Sequence, residues 1–232
     1  MKLAIMQPYF LPYIGYFQLI AGVDMFIIYD NIKYTKKGWI NRNRMLLNGK
    51  DAMFSLPLKN ASDSLDIRER ELADDFNQEK LLSQFKGAYR QAPQFAQTIQ
   101  LLERIVRNEE KNLFRFLHHS IVKTCDHLEI KTEIKISSDI AIDHDLKSQD
   151  KVLALCEAVG ATKYVNAIGG VELYSKETFM ERGIDLKFIQ SKTFEYPQLG
   201  DIFVPWLSMI DVMMFNPLNA IQDAISSNYV LS

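Results

Sequence analysis

The feature that most constrains the fold is the stretch of residues 3–17. Its apolar start, Leu3–Met6, is typical of a buried strand. Pro8 and Pro12 then interrupt the pattern, and Pro12 stands where a helix could begin, because proline needs no backbone donor in the first helical turn. Aromatic and aliphatic residues follow Gly15 at helical spacing. The stretch therefore predicts a strand, a tight loop and a helix in immediate succession.

The loop after this predicted strand is a candidate ligand site. Open α/β sheets bind ligands at the carboxyl ends of their strands, and a helix that starts there offers free N–H groups to an anion such as phosphate. Gln7 carries donor and acceptor groups that could bind a sugar hydroxyl or a base edge. Tyr9, Tyr13 and Tyr16 add aromatic faces and hydroxyls. The alternative is a packed aromatic corner in which Gln7 only ties the loop together.

A second candidate lies at the end of the next predicted strand. The apolar run Met25–Tyr29 ends in Asp30 and Asn31. A strand, helix and strand in this order imply a right-handed crossover and a parallel sheet. Asp30 at the strand end could accept hydrogen bonds from ribose hydroxyls or take the proton of an attacking amine. It could equally cap the following turn.

The basic segment 36–44 concentrates cations, amides and an aromatic side chain. Arginine supplies a planar fork of donors that suits phosphate or carboxylate, and a tryptophan face can stack on a base or a sugar. We expect this segment to be a substrate-binding loop, whereas the alternative is a solvated basic loop. The predicted binding residues are Lys37, Trp39, Asn41, Arg42, Asn43 and Arg44.

The rest of the chain predicts one α/β domain over residues 1–232 with a helical insertion. Asn48-Gly49 between two apolar runs indicates a hairpin. Apolar residues at helical spacing fill the region of about 77–127, which we interpret as the insertion. Strand and helix patterns alternate after it, as in a Rossmann-like parallel sheet.

A third candidate follows a strand in this second half. Asn166 ends the strand, and Gly169 and Gly170 would let the backbone approach a ligand closely. An ordinary strand-to-helix turn explains these glycines equally well. In a parallel sheet all three candidate groups would meet at one edge.

Composition and motifs limit the function further. The net charge is −2, so nucleic-acid binding would need a local basic patch. No apolar run is long enough for a membrane span, and the early prolines do not fit a signal peptide, so we expect a cytoplasmic protein. The sequence lacks Cys or His pairs at metal-ligand spacing, a Walker loop and a dinucleotide fingerprint. We expect no metal and no cofactor.

Five stretches resemble the WbqC-like protein family. They are Gln7–Phe17, Asp30-Asn31, Lys37–Asn43, Ile168–Tyr174 and Leu207–Asp211. The resemblance covers nearly the whole chain; Asn31 stands where the family typically has Asp. It adds Gly15 to the predicted substrate-binding residues, and Gln7, Tyr16 and Asp30 are the predicted catalytic residues.

The resemblance implies a transferase of O-antigen or other surface-polysaccharide biosynthesis. Genes of this family commonly lie in such clusters, and some members are proposed to attach an acyl or aminoacyl group, such as glycine, to the amine of a nucleotide-linked amino sugar. The implied partners are that sugar and an activated donor, which could be a thioester, an adenylate or a charged tRNA. The alternative is a non-catalytic nucleotide-sugar-binding protein of a polysaccharide assembly system.

Tyr13-Ile14-Gly15-Tyr16 also resembles the His-x-Gly-His motif that nucleotidylyltransferases of the pantothenate-synthetase type carry after their first strand. This resemblance implies a nucleotide-binding scaffold and, as a further alternative, a divergent nucleotidylyltransferase-like enzyme. Both histidines are tyrosines here, so the residues that stabilise the phosphoryl transition state in that family are missing. Tyr16 could instead hydrogen-bond a phosphate.

Overall fold

The apolar runs of the sequence form the strands of a central sheet in the computed structural model, which describes residues 1–232. The strands are β1 (Lys2–Met6), β2 (Met25–Ile28), β3 (Arg42–Leu47), β4 (Lys50–Ser55), β5 (Glu133–Ile136), β6 (Lys163–Ala167), β7 (Asp185–Ser191) and β8 (Tyr229–Leu231). The helices are α1 (Ile14–Ala21), α2 (Gln78–Tyr89), α3 (Phe95–Val106), α4 (Leu113–His127), α5 (Ser148–Ala158), α6 (Lys176–Glu181), α7 (Met209–Phe215) and α8 (Leu218–Ser227). None of these helices is both long enough and apolar enough to cross a membrane.

The strand order of the central sheet is β5-β2-β1-β6-β7-β8. The first five strands are parallel and β8 is antiparallel to β7, while β3 and β4 form a separate hairpin. This is the strand order of doubly wound nucleotide-binding folds, in which the order reverses between the first and fourth strands, here β1 and β6. The predicted Rossmann-like α/β fold is confirmed. The antiparallel β8 was not predicted, because three residues are too few to show a period.

The strands bury side chains on both faces of the sheet. In β1, Leu3 and Ile5 pack with α5 and α6 on one face, whereas Ala4 faces the larger core on the other. This alternation follows from the two-residue period of a strand. Helix α1 is buried over Ile14–Ile20 because it is apolar nearly all round. The sheet is thereby covered on both faces, as parallel sheets require.

Helices α2, α3 and α4 occupy the region of about 77–127 in which apolar residues recur at helical spacing. Asn77 and Asn112 cap α2 and α4 by accepting hydrogen bonds from backbone N–H groups. Their apolar faces join the larger core. Two helices elsewhere begin at serine caps: α6 starts after Ser175 and α7 after Ser208, and each serine side chain accepts a backbone N–H of the helix that follows.

Candidate functional site

An open cleft of about 410 Å³ lies at the carboxyl edge of the sheet. Its walls come from the loop after β1, the segment that leads into β3, the ends of β6 and β7, and the segment before α7. The lining residues are Tyr9, Pro12, Tyr13, Trp39, Asn43, Arg44, Ile168, Gln190, Ser191 and Trp206. The cleft is therefore next to the point where the strand order reverses, which is where open α/β sheets bind ligands.

Aromatic side chains form much of the cleft. Trp39 is 42% exposed and Trp206 is 44% exposed, and they are the two tryptophans of the chain. The ring of Tyr13 meets that of Trp206 edge to face, with centroids 6.2 Å apart. Tyr9 completes the aromatic lining. Partly exposed aromatic faces at a cleft can stack on a base or a sugar ring.

Arg44 is the one charged residue among those that line the cleft. Its Cζ atom lies 5.7 Å from the centroid of the Trp39 ring. Nη2 donates to the carbonyl of Trp206 at 3.1 Å, and Nη1 donates to the carboxylate of Asp51 at 3.3 Å. Nε is buried and has no acceptor. The guanidinium thus places a positive charge at the cleft, and one of its N–H donors has no acceptor in the protein.

Asn43 holds the loop after β1 against the hairpin. Its amide donates to the carbonyls of Phe10 and Leu11 at 3.2 and 3.0 Å, and its oxygen accepts from the Arg44 N–H. Leu11 has φ of 45°, a left-handed conformation that is uncommon outside glycine. The Ser208 hydroxyl donates to the Leu11 carbonyl as well. These bonds fix the strained loop and with it the position of the cleft wall.

Gly15 permits a close approach at the floor of the cleft. A Cβ atom at this position would lie 2.3 Å from the Ser191 hydroxyl and 2.4 Å from the Tyr13 ring. Only glycine therefore lets the end of β7 pack against the first turn of α1. Tyr13 is the N-cap of α1 and makes no capping bond with its side chain, so that side chain satisfies none of the N–H groups of the first turn.

Gln7 and Tyr16 do not line the cleft. The Tyr16 hydroxyl is buried and donates to the backbone carbonyl of Gln7 at 2.9 Å, and its ring packs on Tyr9, Phe17 and Phe26. Burial raises the pKa of Tyr16 well above its ordinary value. The geometry is that of the packed aromatic corner. Gln7 itself is half-buried, and its backbone carbonyl is the group that accepts the hydrogen bond from Tyr16.

Substitution of Tyr16 by phenylalanine should therefore cost about 1 kcal/mol of stability, the usual net value of one hydrogen bond. The ring contacts remain, so ligand affinity should stay within twofold of the unchanged protein, roughly the effect of 0.4 kcal/mol. Urea unfolding and ligand titration of the same preparation measure both quantities. A large loss of affinity with unchanged stability would instead assign the hydroxyl to the ligand site.

Asp30 and Asn31 bind the segment that follows β5 rather than the cleft. The Asp30 carboxylate accepts from the Ser137 hydroxyl at 2.8 Å and from the backbone N–H and hydroxyl of Ser138 at 3.0 and 2.6 Å. The Asn31 amide donates to a ring nitrogen of His144 at 2.9 Å. Both side chains are buried. This arrangement joins the end of β2 to the turn that follows β5, whereas the alternative expected from the sequence is a cap on the turn directly after Asp30.

The basic segment is split between a loop and a strand. Arg42 donates to the carbonyls of Lys37 and Gly38. The Asn41 side chain accepts from the Tyr34 hydroxyl and donates to the carbonyl of Leu56, just after β4. These two side chains shape the turn that carries Trp39. Lys37 is exposed. Residues from Arg42 onward belong to β3 and not to a loop, since they pair with β4 in regular register.

The third predicted group surrounds the end of β6. The Asn166 side-chain oxygen accepts from the Ala167 N–H at 2.8 Å. A Cβ atom at Gly170 would lie 2.5 Å from the Asn166 amide nitrogen, whereas Gly169 has open space around it. Gly170 is thus required for packing. The adjacent Ile168, not these three residues, reaches the cleft.

Five lining residues were not predicted: Pro12, Ile168, Gln190, Ser191 and Trp206. Gln190 and Ser191 are the last residues of β7, so their position at the end of a parallel strand was a usable signal. Trp206 has φ of 59° and is brought to the cleft by the long connection between β7 and α7. No pattern in the sequence indicates that conformation.

Neither cysteine offers a nucleophile. Cys125 and Cys156 are buried, and burial raises the pKa of each thiol to about 12. Because the thiolate is the reactive form, both are inert at neutral pH.

Comparison with known proteins agrees with the resemblance seen in the sequence. The model of the WbqC-like protein family matches residues 7–223. The uncharacterized protein Rv1507c of Mycobacterium tuberculosis is 31% identical over 219 residues, which cover 93% of each chain. No solved structure matches the chain. The match over residues 7–223 includes every residue that lines the cleft, and the chain belongs to the WbqC-like protein family.

Proposed function

We propose that the cleft binds a nucleotide-linked amino sugar and that the protein transfers an acyl or aminoacyl group to the amine of that sugar. The observation that carries the proposal is the pairing of two exposed tryptophans with one arginine at the carboxyl edge of the sheet. Membership of the WbqC-like family supports the surface-polysaccharide context of the reaction.

The lining of the cleft suits the parts of such a ligand. Trp39 and Trp206 offer faces for a base or a sugar, and Arg44 offers charge-assisted donors to a phosphate. Gln190 and Ser191, at the end of β7, provide polar groups for sugar hydroxyls. A volume of about 410 Å³ is within the usual range for a small-molecule site.

The proposed reaction needs no covalent intermediate on the protein. The amine nitrogen attacks the carbonyl carbon of the donor, a C–N bond forms, and the bond to the thiol, phosphate or ester oxygen of the donor breaks. The attacking amine loses its proton to solvent. Holding amine and donor in reactive geometry can supply much of the rate enhancement. Burial of both thiols fits this direct transfer.

The second candidate function is non-catalytic binding of the same nucleotide sugar. This function is favoured because two of the predicted catalytic groups, the Asp30 carboxylate and the Tyr16 hydroxyl, already form hydrogen bonds with other groups of the protein. A binding protein of a polysaccharide assembly system would need only the cleft.

Mass spectrometry separates the two functions. The protein is incubated with a uridine-diphosphate-linked amino sugar and, in turn, an acyl thioester, an aminoacyl adenylate and a charged tRNA. Transferase activity gives a sugar nucleotide with the mass of the added group, and Arg44→Gln should reduce its yield at least tenfold, the effect of about 1.4 kcal/mol. Arg115→Gln, on the exposed face of α4, is the matched control. Binding of the nucleotide-linked sugar without formation of product supports the second candidate function, and absence of binding refutes both functions.

A further inference from the structure

We infer that Asp51 is a displaceable counter-ion of Arg44, and that a phosphoryl group of the ligand takes its place when the cleft is filled. The inference rests on the proposed function, because it names the group of the nucleotide sugar that Arg44 binds. It also assigns a role to Asp51, which lies outside the residues that line the cleft.

The hairpin register places the two side chains together. Arg44 pairs with Met53, and Leu46 pairs with Asp51. Arg44 and Asp51 are therefore diagonal neighbours on one face of an antiparallel pair, within reach of long side chains. The observed distance from Nη1 to the carboxylate is 3.3 Å. This contact follows from the strand pairing and needs no ligand.

The contact is weak enough to be exchanged. The Arg44 side chain is 30% exposed and that of Asp51 is 51% exposed. Ion pairs that water reaches to this extent contribute little, because solvent screens the charges and both side chains lose freedom. A single bond at 3.3 Å is also longer than the usual charge-assisted hydrogen bond. Breaking the ion pair between Arg44 and Asp51 therefore costs the protein little stability.

Asp51 accepts from only one of the Arg44 donors. Nη2 donates to the Trp206 carbonyl, and Nε is buried without an acceptor. A buried donor without a partner is unfavourable, so the side chain gains by reorienting toward a group with several acceptor oxygens. A phosphoryl group accepts two parallel N–H bonds from a guanidinium, which is stronger than the single bond to Asp51. In the free protein the ring of Trp39 lies beside this cation.

Asp51 would then limit affinity in two ways. It occupies Nη1 in the free protein, and its negative charge repels an incoming phosphate. Asp51→Asn removes the charge and keeps the shape, so it should tighten binding of uridine diphosphate about twofold to fivefold, the range that corresponds to the loss of one exposed ion pair. The gain should shrink at high salt, because screening weakens the repulsion.

The test is a titration with uridine diphosphate followed by tryptophan fluorescence, since both tryptophans line the cleft. Asp63→Asn is the matched control: it removes the same charge from an exposed pair with Lys36 at 2.9 Å, outside the cleft. In the Arg44→Gln background, Asp51→Asn should bring a smaller gain, because only the repulsion of the phosphate remains to be relieved. The inference is overturned if Asp51→Asn and the unchanged protein bind uridine diphosphate with equal affinity, or if Asp63→Asn gains as much affinity as Asp51→Asn. It is also overturned if neither the unchanged protein nor any variant binds uridine diphosphate.

Two further ligands distinguish this inference from the proposed function. If a nucleotide-linked amino sugar binds but the Asp51 substitution leaves its affinity unaltered, the inference alone fails. If inorganic pyrophosphate binds more tightly to the Asp51 variant while the nucleotide sugar does not bind, the counter-ion role holds and the proposed function fails.

Discussion

Replacement of Asp211 by alanine is expected to lower the free energy of unfolding by about 2–4 kcal/mol, because a buried hydrogen-bond network loses its acceptor. The Asp211 side chain is fully buried, and its carboxylate accepts from the Tyr89 hydroxyl at 3.0 Å, the Tyr196 hydroxyl at 2.7 Å and the Gln198 amide at 2.6 Å. Burial raises the pKa of the Asp211 carboxyl. Alanine would leave the buried Tyr89 hydroxyl and the half-buried Tyr196 and Gln198 donors without this acceptor. A buried donor left without a partner costs about 1–3 kcal/mol, and water can partly satisfy the two half-buried ones.

Urea unfolding of this variant beside Asp223→Ala measures the effect. Asp223 is exposed and its carboxylate has no partner in the protein, so its replacement should change stability by less than about 0.5 kcal/mol. The Asp211 variant should also alter the cleft, because Gln198 holds the backbone of Val204 two residues before Trp206. Equal stabilities of the two variants would show that the network around Asp211 contributes nothing.

Gly15→Ala is the second substitution with a large expected effect, on stability and on the cleft together. Its Cβ atom would overlap the Ser191 hydroxyl at 2.3 Å and the Tyr13 ring at 2.4 Å. Overpacking of this kind costs about 1–3 kcal/mol. Relief of the overlap moves Tyr13 or Ser191, both of which line the cleft, so ligand affinity should fall as well.

Gly87→Ala provides the matched control for this change. Gly87 lies within α2, and a Cβ atom there meets nothing within 4 Å. Alanine at this exposed helical position should raise stability by about 0.5–1 kcal/mol and leave the cleft intact. Thermal unfolding should show a loss of stability for Gly15→Ala and a gain for Gly87→Ala, and ligand titration should show a loss of affinity for the Gly15 variant only. A Gly15 variant that matches the unchanged protein in both would contradict the packing described for α1.

The fold was largely predictable because its determinants are local. The apolar run before Pro8 and the helical spacing after Gly15 specify β1 and α1, and Met25–Ile28 supplies β2. The order of these elements then requires a parallel sheet. The antiparallel strand Tyr229–Leu231 was missed, because its partner β7 lies about 40 residues earlier and its own sequence is short.

The candidate site was predictable only in part, since the sequence shows which polar groups exist but not which have partners. Trp39 and Arg44 lie in the cleft, as their chemistry suggested. Asp30 and Arg42 carry equally suitable chemistry, but both form hydrogen bonds within the protein. The Asp30 carboxylate accepts from serine hydroxyls, and the Arg42 guanidinium donates to a backbone carbonyl. Trp206 reaches the cleft through tertiary structure alone, across more than 160 residues from Arg44.

The central claim, that this cleft binds a nucleotide-linked amino sugar, is tested most directly by tryptophan fluorescence. Trp39→Phe and Trp206→Phe leave one reporter each, and both reporters line the cleft. A uridine-diphosphate-linked amino sugar should change the emission of each single-tryptophan protein with the same dissociation constant, and Arg44→Gln should weaken that binding at least tenfold, or about 1.4 kcal/mol. The account would be contradicted if the emission stays constant in both proteins at millimolar ligand, or if Arg44→Gln leaves the dissociation constant unchanged.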